Sequence, residues 1–168
     1  MTTTIRHNDL VDTVAAALQY ISYYHPADYI AHLARAYDKE IAPAAKDAIA
    51  QILTNSRMCA EGHRPLCQDT GIVNVFLKIG MDVRFEGFKG SIEDAVNEGV
   101  RRGYLDPDNT LRASVLADPA GARKNTKDNT PAVVHFELVP GDGVEVIRID
   151  FRDQQRHIGL HAVAAGVA

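Results

Sequence analysis

The hydrophobic period of this chain changes once, near Gly62, and that change limits the fold more than any other feature. Before it, apolar residues recur every three to four positions, as on helix faces. Leu10, Val14, Leu18 and Ile21 form the first such set, with Asn8 or Asp9 as its expected cap. "HPADYIAHLARAY" opens with Pro26, suited to a first helical turn, and repeats Ile30, Leu33 and Tyr37. "APAAKDAIAQIL" uses Pro43 in the same way, followed by Ala45, Ile49, Ile52 and Leu53. The three segments predict a small helical bundle or layer. After Gly62 the period is that of strands. "GIVNVFLKIG" (71–80) is mostly apolar and bounded by glycines, as a buried strand is. "MDVRFEGF" alternates and is expected to pair with it. Ser91 and Asp94 make a capping box ahead of a helix ending near Gly103. "AVVHFELV" and "VEVIRIDF" flank "PGDG", which predicts a hairpin. The fold class is therefore α+β: helices first, then a mixed or antiparallel sheet with a further helix and a C-terminal hairpin. Residues 1–150 are expected to form one domain, followed by an atypical tail over 151–168 without firm periodicity.

Composition narrows the function. A chain of 168 residues can bury a sizeable core. Its net charge of −4 argues against nucleic-acid or anionic-membrane surfaces, which need clustered Lys and Arg. No apolar run approaches the roughly 20 residues that span a bilayer. "MTTTIRHNDL" lacks the apolar stretch of a secretory signal. Two cysteines, Cys59 and Cys67, make no disulfide framework, and the expected location is the cytoplasm.

Three polar clusters carry possible chemistry. In "LCQDTGIV" (66–73), Cys67 offers a soft thiolate for zinc or an iron–sulfur cluster. Gln68 offers an amide, Asp69 a carboxylate that can position a proton or an arginine, and Gly71 a flexible backbone. By itself the pentapeptide is weak evidence, and the bare reading favours a structural cysteine. In "LRAS", Arg112 can grip a carboxylate with two parallel hydrogen bonds, or simply be a solvated surface arginine. The loop "RKNTKDNTPA" (123–132) crowds Lys124, Asn125, Thr126, Asp128, Asn129 and Thr130 before Pro131. It reads as a turn rich in side-chain-to-backbone bonds or as the lining of an anion site. Cys59, eight residues before Cys67, matches no common metal spacing and reads as a helix-end thiol. His63 reads as a loop residue and His135 as a sheet histidine. His157 and His161 have helical spacing but no third ligand. There is no HExxH, P-loop or dinucleotide fingerprint.

Taken in order, "PLCQDTG", "LRAS" with "ADP", and "RKNTKDNTPAVVHFELVPGD" resemble the N-terminal part of class I, iron–sulfur-dependent fumarate hydratases, an architecture shared by the alpha chain of L-tartrate dehydratase. The resemblance runs from about residue 10 to about residue 146. It implies a hydro-lyase that reversibly hydrates fumarate to L-malate. It also implies a 4Fe-4S cluster held by three cysteines, whose fourth iron acts as a Lewis acid on the substrate. By motif match, Cys67 corresponds to the first cluster cysteine. Gln68 and Asp69 line the substrate pocket, with Asp69 assigned to catalysis. Arg112 pairs with a substrate carboxylate, and Asn125 and Thr126 lie in the active-site loop. The implied partners are a small dicarboxylate and the remainder of the enzyme or a second subunit, with a homo-oligomer expected for the complete protein.

The sequence also departs from that pattern. Family members continue from the hairpin into a glycine-rich "KGGG" stretch and a long segment. That segment carries two more cluster cysteines, further cations and the catalytic base. Here "GVEV" runs instead into "IRIDFRDQQRHIGLHAVAAGVA". A frameshift, a truncation or an abnormal gene call is the expectation for this ending, and the isolated chain is expected to be inactive. A tartrate or related hydroxy-acid dehydratase alpha subunit, or a non-catalytic assembly module, is the alternative.

Overall fold

The computed structural model describes residues 3–67, 71–108, 111–151, 154–158 and 162–163, with side chains described through Val144. The elements run β1 (Thr4–Arg6), α1 (His7–Tyr23), α2 (Ala27–Lys39), α3 (Pro43–Gly62), β2 (Val73–Gly80), β3 (Arg84–Glu86) and α4 (Ile92–Leu105). They continue with β4 (Leu116–Ala117), β5 (Lys124–Asn125), β6 (Val133–Val139), β7 (Val144–Phe151), β8 (Gln154–Ile158) and β9 (Ala162–Val163). The fold is α+β, as the change of period requires.

Local chemistry sets most helix starts. Pro43 occupies the first turn of α3, where its missing N–H costs nothing. Ser91 caps α4, accepting from the Asp94 N–H at 3.1 Å, while the Asp94 carboxylate accepts from the Ser91 N–H at 2.8 Å. The expected cap of α1 shifts. The helix already begins at His7, and Asp9 serves from inside its first turn by accepting the Arg6 N–H at 3.1 Å. A carboxylate there also faces the positive end of the helix dipole.

The core is built on β2. Val73, Val75, Leu77 and Ile79 alternate onto one face and are buried among Leu10, Val11, Val14, Leu18 and Ile21 of α1 and Val96 and Val100 of α4. Gly99 lets α1 and α4 approach closely, since a Cβ there would lie 2.7 Å from both the Val11 carbonyl oxygen and Val14 Cβ.

Two expected strand pairings are replaced. The "MDVRFEGF" strand, β3, pairs in parallel with β1 rather than with β2. The strands flanking "PGDG" form no hairpin, because β2 lies between them. β6 runs parallel to β2 on one side and β7 antiparallel on the other. The turn therefore bridges the C-terminal end of β2, with Gly80 N–H donating to the Gly143 carbonyl at 2.8 Å and Asp82 N–H to the Gly141 carbonyl at 2.9 Å. A side chain at Gly80 would overlap Gly141, so glycine is what lets the turn cross there. A turn signal fixes a reversal of direction but leaves the gap between the two strands open, and β2 has the apolar faces to fill it. Beyond β7, β8 and β9 add antiparallel strands from the tail.

The first three helices do not form one bundle. α1 joins the core, whereas α2 and α3 lean on each other, with Ser56 and Cys59 of α3 buried and no residue of α2 buried. No helix among the described residues is long and apolar enough to cross a membrane.

Candidate functional site

The segments singled out in the sequence meet beside the start of β2. Leu66, just ahead of Cys67, is tied down on two sides. Its N–H donates to the Ser22 carbonyl at the end of α1 (2.9 Å), and its carbonyl accepts from Asn55 Nδ2 of α3 (3.4 Å). Cys67 itself is partly exposed. Gln68 and Asp69, with Thr70, lie outside the described residues. Gly71 re-enters with φ +51°, a conformation that favours glycine.

Asn129 holds the junction together. It is 0% exposed. Its Oδ1 accepts from the N–H groups of Ser114 (2.7 Å) and Val115 (3.1 Å), and its Nδ2 donates to the Gly71 carbonyl (3.1 Å). One amide thus links the Cys67 turn, the Arg112 segment and the 123–131 loop. The Ser114 hydroxyl donates to the same Gly71 carbonyl at 3.2 Å. Asn129 adopts φ +59°, which asparagine tolerates better than most residues. The sequence marked Asn129 only as one polar residue among several. A buried role could have been suspected from an asparagine set just before Thr-Pro, but its bonding partners could not.

Arg112 is exposed, while Leu111 and Val115 of the same segment are buried. Asn125 uses both ends of its amide on the protein. Nδ2 donates to the Ala113 carbonyl (2.6 Å) and Oδ1 accepts from the Lys127 N–H (2.7 Å). The Thr126 N–H donates to the Val115 carbonyl (3.0 Å), so the loop is pinned along the Arg112 segment. The Thr126 hydroxyl oxygen is buried with no hydrogen-bond partner among the described residues.

The loop is braced from α4. Asp128 accepts from the Thr130 N–H (3.1 Å) and hydroxyl (2.8 Å) and pairs with Arg101 Nε at 3.4 Å. Partial burial pushes the Asp128 carboxyl up. The Thr130 hydrogen bonds and the Arg101 charge outweigh that and hold it below its ordinary value. Asn97 Oδ1 of α4 accepts from the Ala132 N–H at 2.8 Å, anchoring the entry to β6.

The other candidates are structural here. Cys59 is buried at the end of α3, its thiol directed at Asn55 Oδ1 (3.7 Å) and the Pro65 carbonyl (3.5 Å). His63 closes α3 in a left-handed conformation, stacks on Tyr23 and meets the Tyr24 hydroxyl at 3.2 Å. His135 stacks on Phe76 with ring centroids 4.4 Å apart. The side chain of His157 and all of His161 lie outside the described residues. Among the described residues no three His, Cys, Asp or Glu side chains gather as a metal-ligand set. One partly exposed thiol, Cys67, does not by itself make a metal site.

The family model described as fumarate hydratase (Fumerase) matches residues 11–150. The chain belongs to this family. A putative L(+)-tartrate dehydratase subunit alpha of Methanocaldococcus jannaschii is 35% identical over 91 residues, which is 54% of this chain and 32% of that protein. The L(+)-tartrate dehydratase subunit alpha of Escherichia coli O157:H7 is 28% identical over 140 residues, 83% of this chain and 45% of that protein. The corresponding subunit of Escherichia coli K12 is 26% identical over the same length. The chain thus spans less than half the length of these relatives of the Fumerase family. The matched region includes the Cys67 turn, Arg112 and the loop built around Asn129.

Proposed function

We propose that this chain is the N-terminal, alpha-type portion of a hydro-lyase that removes water from, or adds it to, a four-carbon dicarboxylate. Fumarate and L-malate are the reference pair. The names of the relatives make L-tartrate the second substrate to test. The observation that carries the reading is the Asn129 junction, which brings a thiolate-bearing turn and an arginine segment to one place in a family of hydro-lyases.

Each residue then has a role. Arg112 grips a substrate carboxylate with parallel N–H···O bonds, and its fixed charge compensates the dianion. Gln68 donates its amide to a substrate oxygen. Asp69 serves in catalysis by holding a proton or orienting the group that carries one. Dehydration takes a proton from the carbon next to one carboxylate and releases the hydroxyl from the neighbouring carbon as water. An environment that stabilises the developing negative charge accelerates it. Asn125 and Thr126 shape the loop around the dicarboxylate, the former chiefly by holding the backbone at Ala113 and Lys127. A 4Fe-4S cluster would take Cys67 as one of three cysteine ligands, with the others supplied by polypeptide beyond these residues. The chain alone is inactive on this reading. Residues 1–150 form the family domain, and 151–168 are appended to it.

The test is cluster content. The chain is combined with polypeptide supplying the remaining family segments and reconstituted anaerobically with iron and sulfide. Iron and acid-labile sulfide are then counted for native protein and Cys67→Ser. Loss of cluster in the variant supports the ligand role, and equal content removes Cys67 from it.

A further inference from the structure

We infer that Cys59 and Cys67 are a redox pair, in which a peroxide oxidises the Cys67 thiol and Cys59 then closes on it as a disulfide. The inference rests on the corner where α3 turns back toward β2, and not on the reaction proposed above.

Both cysteines belong to that corner, and both are thiols in this structure. The chain leaves α3 through His63, whose φ of +47° reverses its direction. It returns over the helix end, where the Arg64 N–H donates to the Cys59 carbonyl at 3.1 Å. The Cys59 thiol is directed at the Pro65 carbonyl oxygen at 3.5 Å, two residues before Cys67. With consecutive Cα atoms about 3.8 Å apart, Cys67 Cα lies within about 10 Å of the Cys59 sulfur. One amide spans the gap. Asn55 Oδ1 accepts from the Cys59 thiol at 3.7 Å, and Nδ2 donates to the carbonyl of Leu66, the neighbour of Cys67, at 3.4 Å. A disulfide needs its two Cα atoms within about 7 Å, so the turn must draw in toward the helix end. The Asn55–Leu66 bond is long for an amide and gives way easily. The Leu66 N–H bond to the Ser22 carbonyl is tight at 2.9 Å and serves as the pivot.

The two sulfurs differ as the chemistry requires. Cys67 is partly exposed, whereas Cys59 is 5% exposed and fills space at the end of α3. A peroxide therefore meets Cys67 first. Its O–O bond breaks as an S–O bond forms, giving a sulfenic acid and one water, with sulfur oxidised and the peroxide reduced by two electrons. The Cys59 sulfur then attacks the Cys67 sulfur. The S–S bond forms, the S–O bond breaks, and the Cys59 proton leaves with the hydroxyl as a second water. The span of eight residues makes the step intramolecular, at an effective concentration in the millimolar range that exceeds any micromolar second chain. A dithiol reopens a disulfide but does not restore a sulfinic acid. The pair thus keeps Cys67, proposed above as a cluster ligand, recoverable after contact with an oxidant.

The test uses the full 168-residue chain at micromolar concentration, reduced, transferred anaerobically out of reductant and treated with hydrogen peroxide. Intact mass, thiol count and cleavage after Glu61, which separates Cys59 from Cys67, are the readouts. The native chain should lose two hydrogens and both thiols together, stay joined after cleavage at Glu61, and recover fully in dithiothreitol. In Cys59→Ser, Cys67 should instead take up two oxygens, and the fraction recovered by dithiothreitol should fall about tenfold or more. Cys59→Ala repeats that measurement without a hydroxyl in the buried position, and unchanged circular dichroism checks both folds. Cys67→Ser should slow loss of the remaining thiol about tenfold, since Cys59 is shielded. A native chain that carries a sulfinic acid on Cys67 beside an intact Cys59 thiol overturns the pairing. Chains linked to one another through Cys67, or two thiols that both persist, overturn it equally. Recovery in the Cys59 variants equal to that of the native chain removes Cys59 from the role.

Discussion

α1 and α2 are both amphipathic helices, yet they end in opposite environments. Leu10, Val11, Val14, Leu18 and Ile21 of α1 are sealed against β2 and α4. α2 repeats the same kind of stripe with Ile30, Leu33 and Tyr37 and buries none of it, finding only α3. The exposed apolar residues continue along that pair, with Ile41 93% and Met58 62% exposed. Periodicity states which face of a helix is apolar, while burial depends on whether another layer is present to meet it. The site follows the same division. Asn129, Arg101 and Asn97 tie it to the α1–α4–β2 core, while α3 is linked to the segment before Cys67 by Asn55 to Leu66 and Cys59 to Pro65.

The contrast breaks most visibly in the core. Leu18→Ala should cost about 3 kcal/mol, read as a lower denaturant midpoint, because a fully buried side chain leaves a cavity on the α1–α4 seam. A loss under about 1 kcal/mol would mean that α1 is held no better than α2.

Asn129→Gly should cost about 2 kcal/mol. Glycine keeps the positive φ but leaves the Ser114, Val115 and Gly71 backbone groups without their amide. The amides of 113–115 should then exchange hydrogen faster while those of β2 do not. Unchanged exchange at 113–115 would show that the three segments meet without Asn129.

Asp128→Asn probes the brace from α4 through pH. The folded carboxyl lies below its ordinary value, so its contribution is fully present above the ordinary carboxylate range. It is lost as pH falls through the depressed folded value. With Arg101 nearly half exposed, the difference between native protein and variant should stay under about 1 kcal/mol near neutral pH. It should vanish in acid, and a pH-independent difference would contradict the ionic part of the account.

The smallest effect belongs to the exposed pair. Met58→Lys should change stability by no more than about 0.5 kcal/mol, since the side chain already faces solvent. A larger loss in the full chain would place a partner surface on α3.

What could be read from the sequence divides by distance along the chain. Pro43 at the start of α3 and the Ser91–Asp94 box are decided within four residues, and both hold. The alternation of β2 places its buried face because side-chain direction is intrinsic to a strand. The hairpin expectation failed because nothing in "PGDG" specifies that β2, more than fifty residues upstream, lies between the strands. Asn129 went unassigned for the same reason, since its carbonyl partner Gly71 is 58 residues away. The segments that meet at the junction were visible as motifs, while the amide that joins them became visible only in three dimensions.

The most direct test of the functional claim is dehydration by the complete enzyme. The chain, combined with polypeptide carrying the remaining family segments, is assayed under anaerobic conditions with L-malate and L-tartrate, as native protein and as Arg112→Ala. The account expects water loss from at least one of these acids, and a fall in kcat/KM of about a hundredfold in the variant as the carboxylate grip is lost. A complete, cluster-loaded enzyme that dehydrates neither acid, or one indifferent to Arg112→Ala, would contradict it.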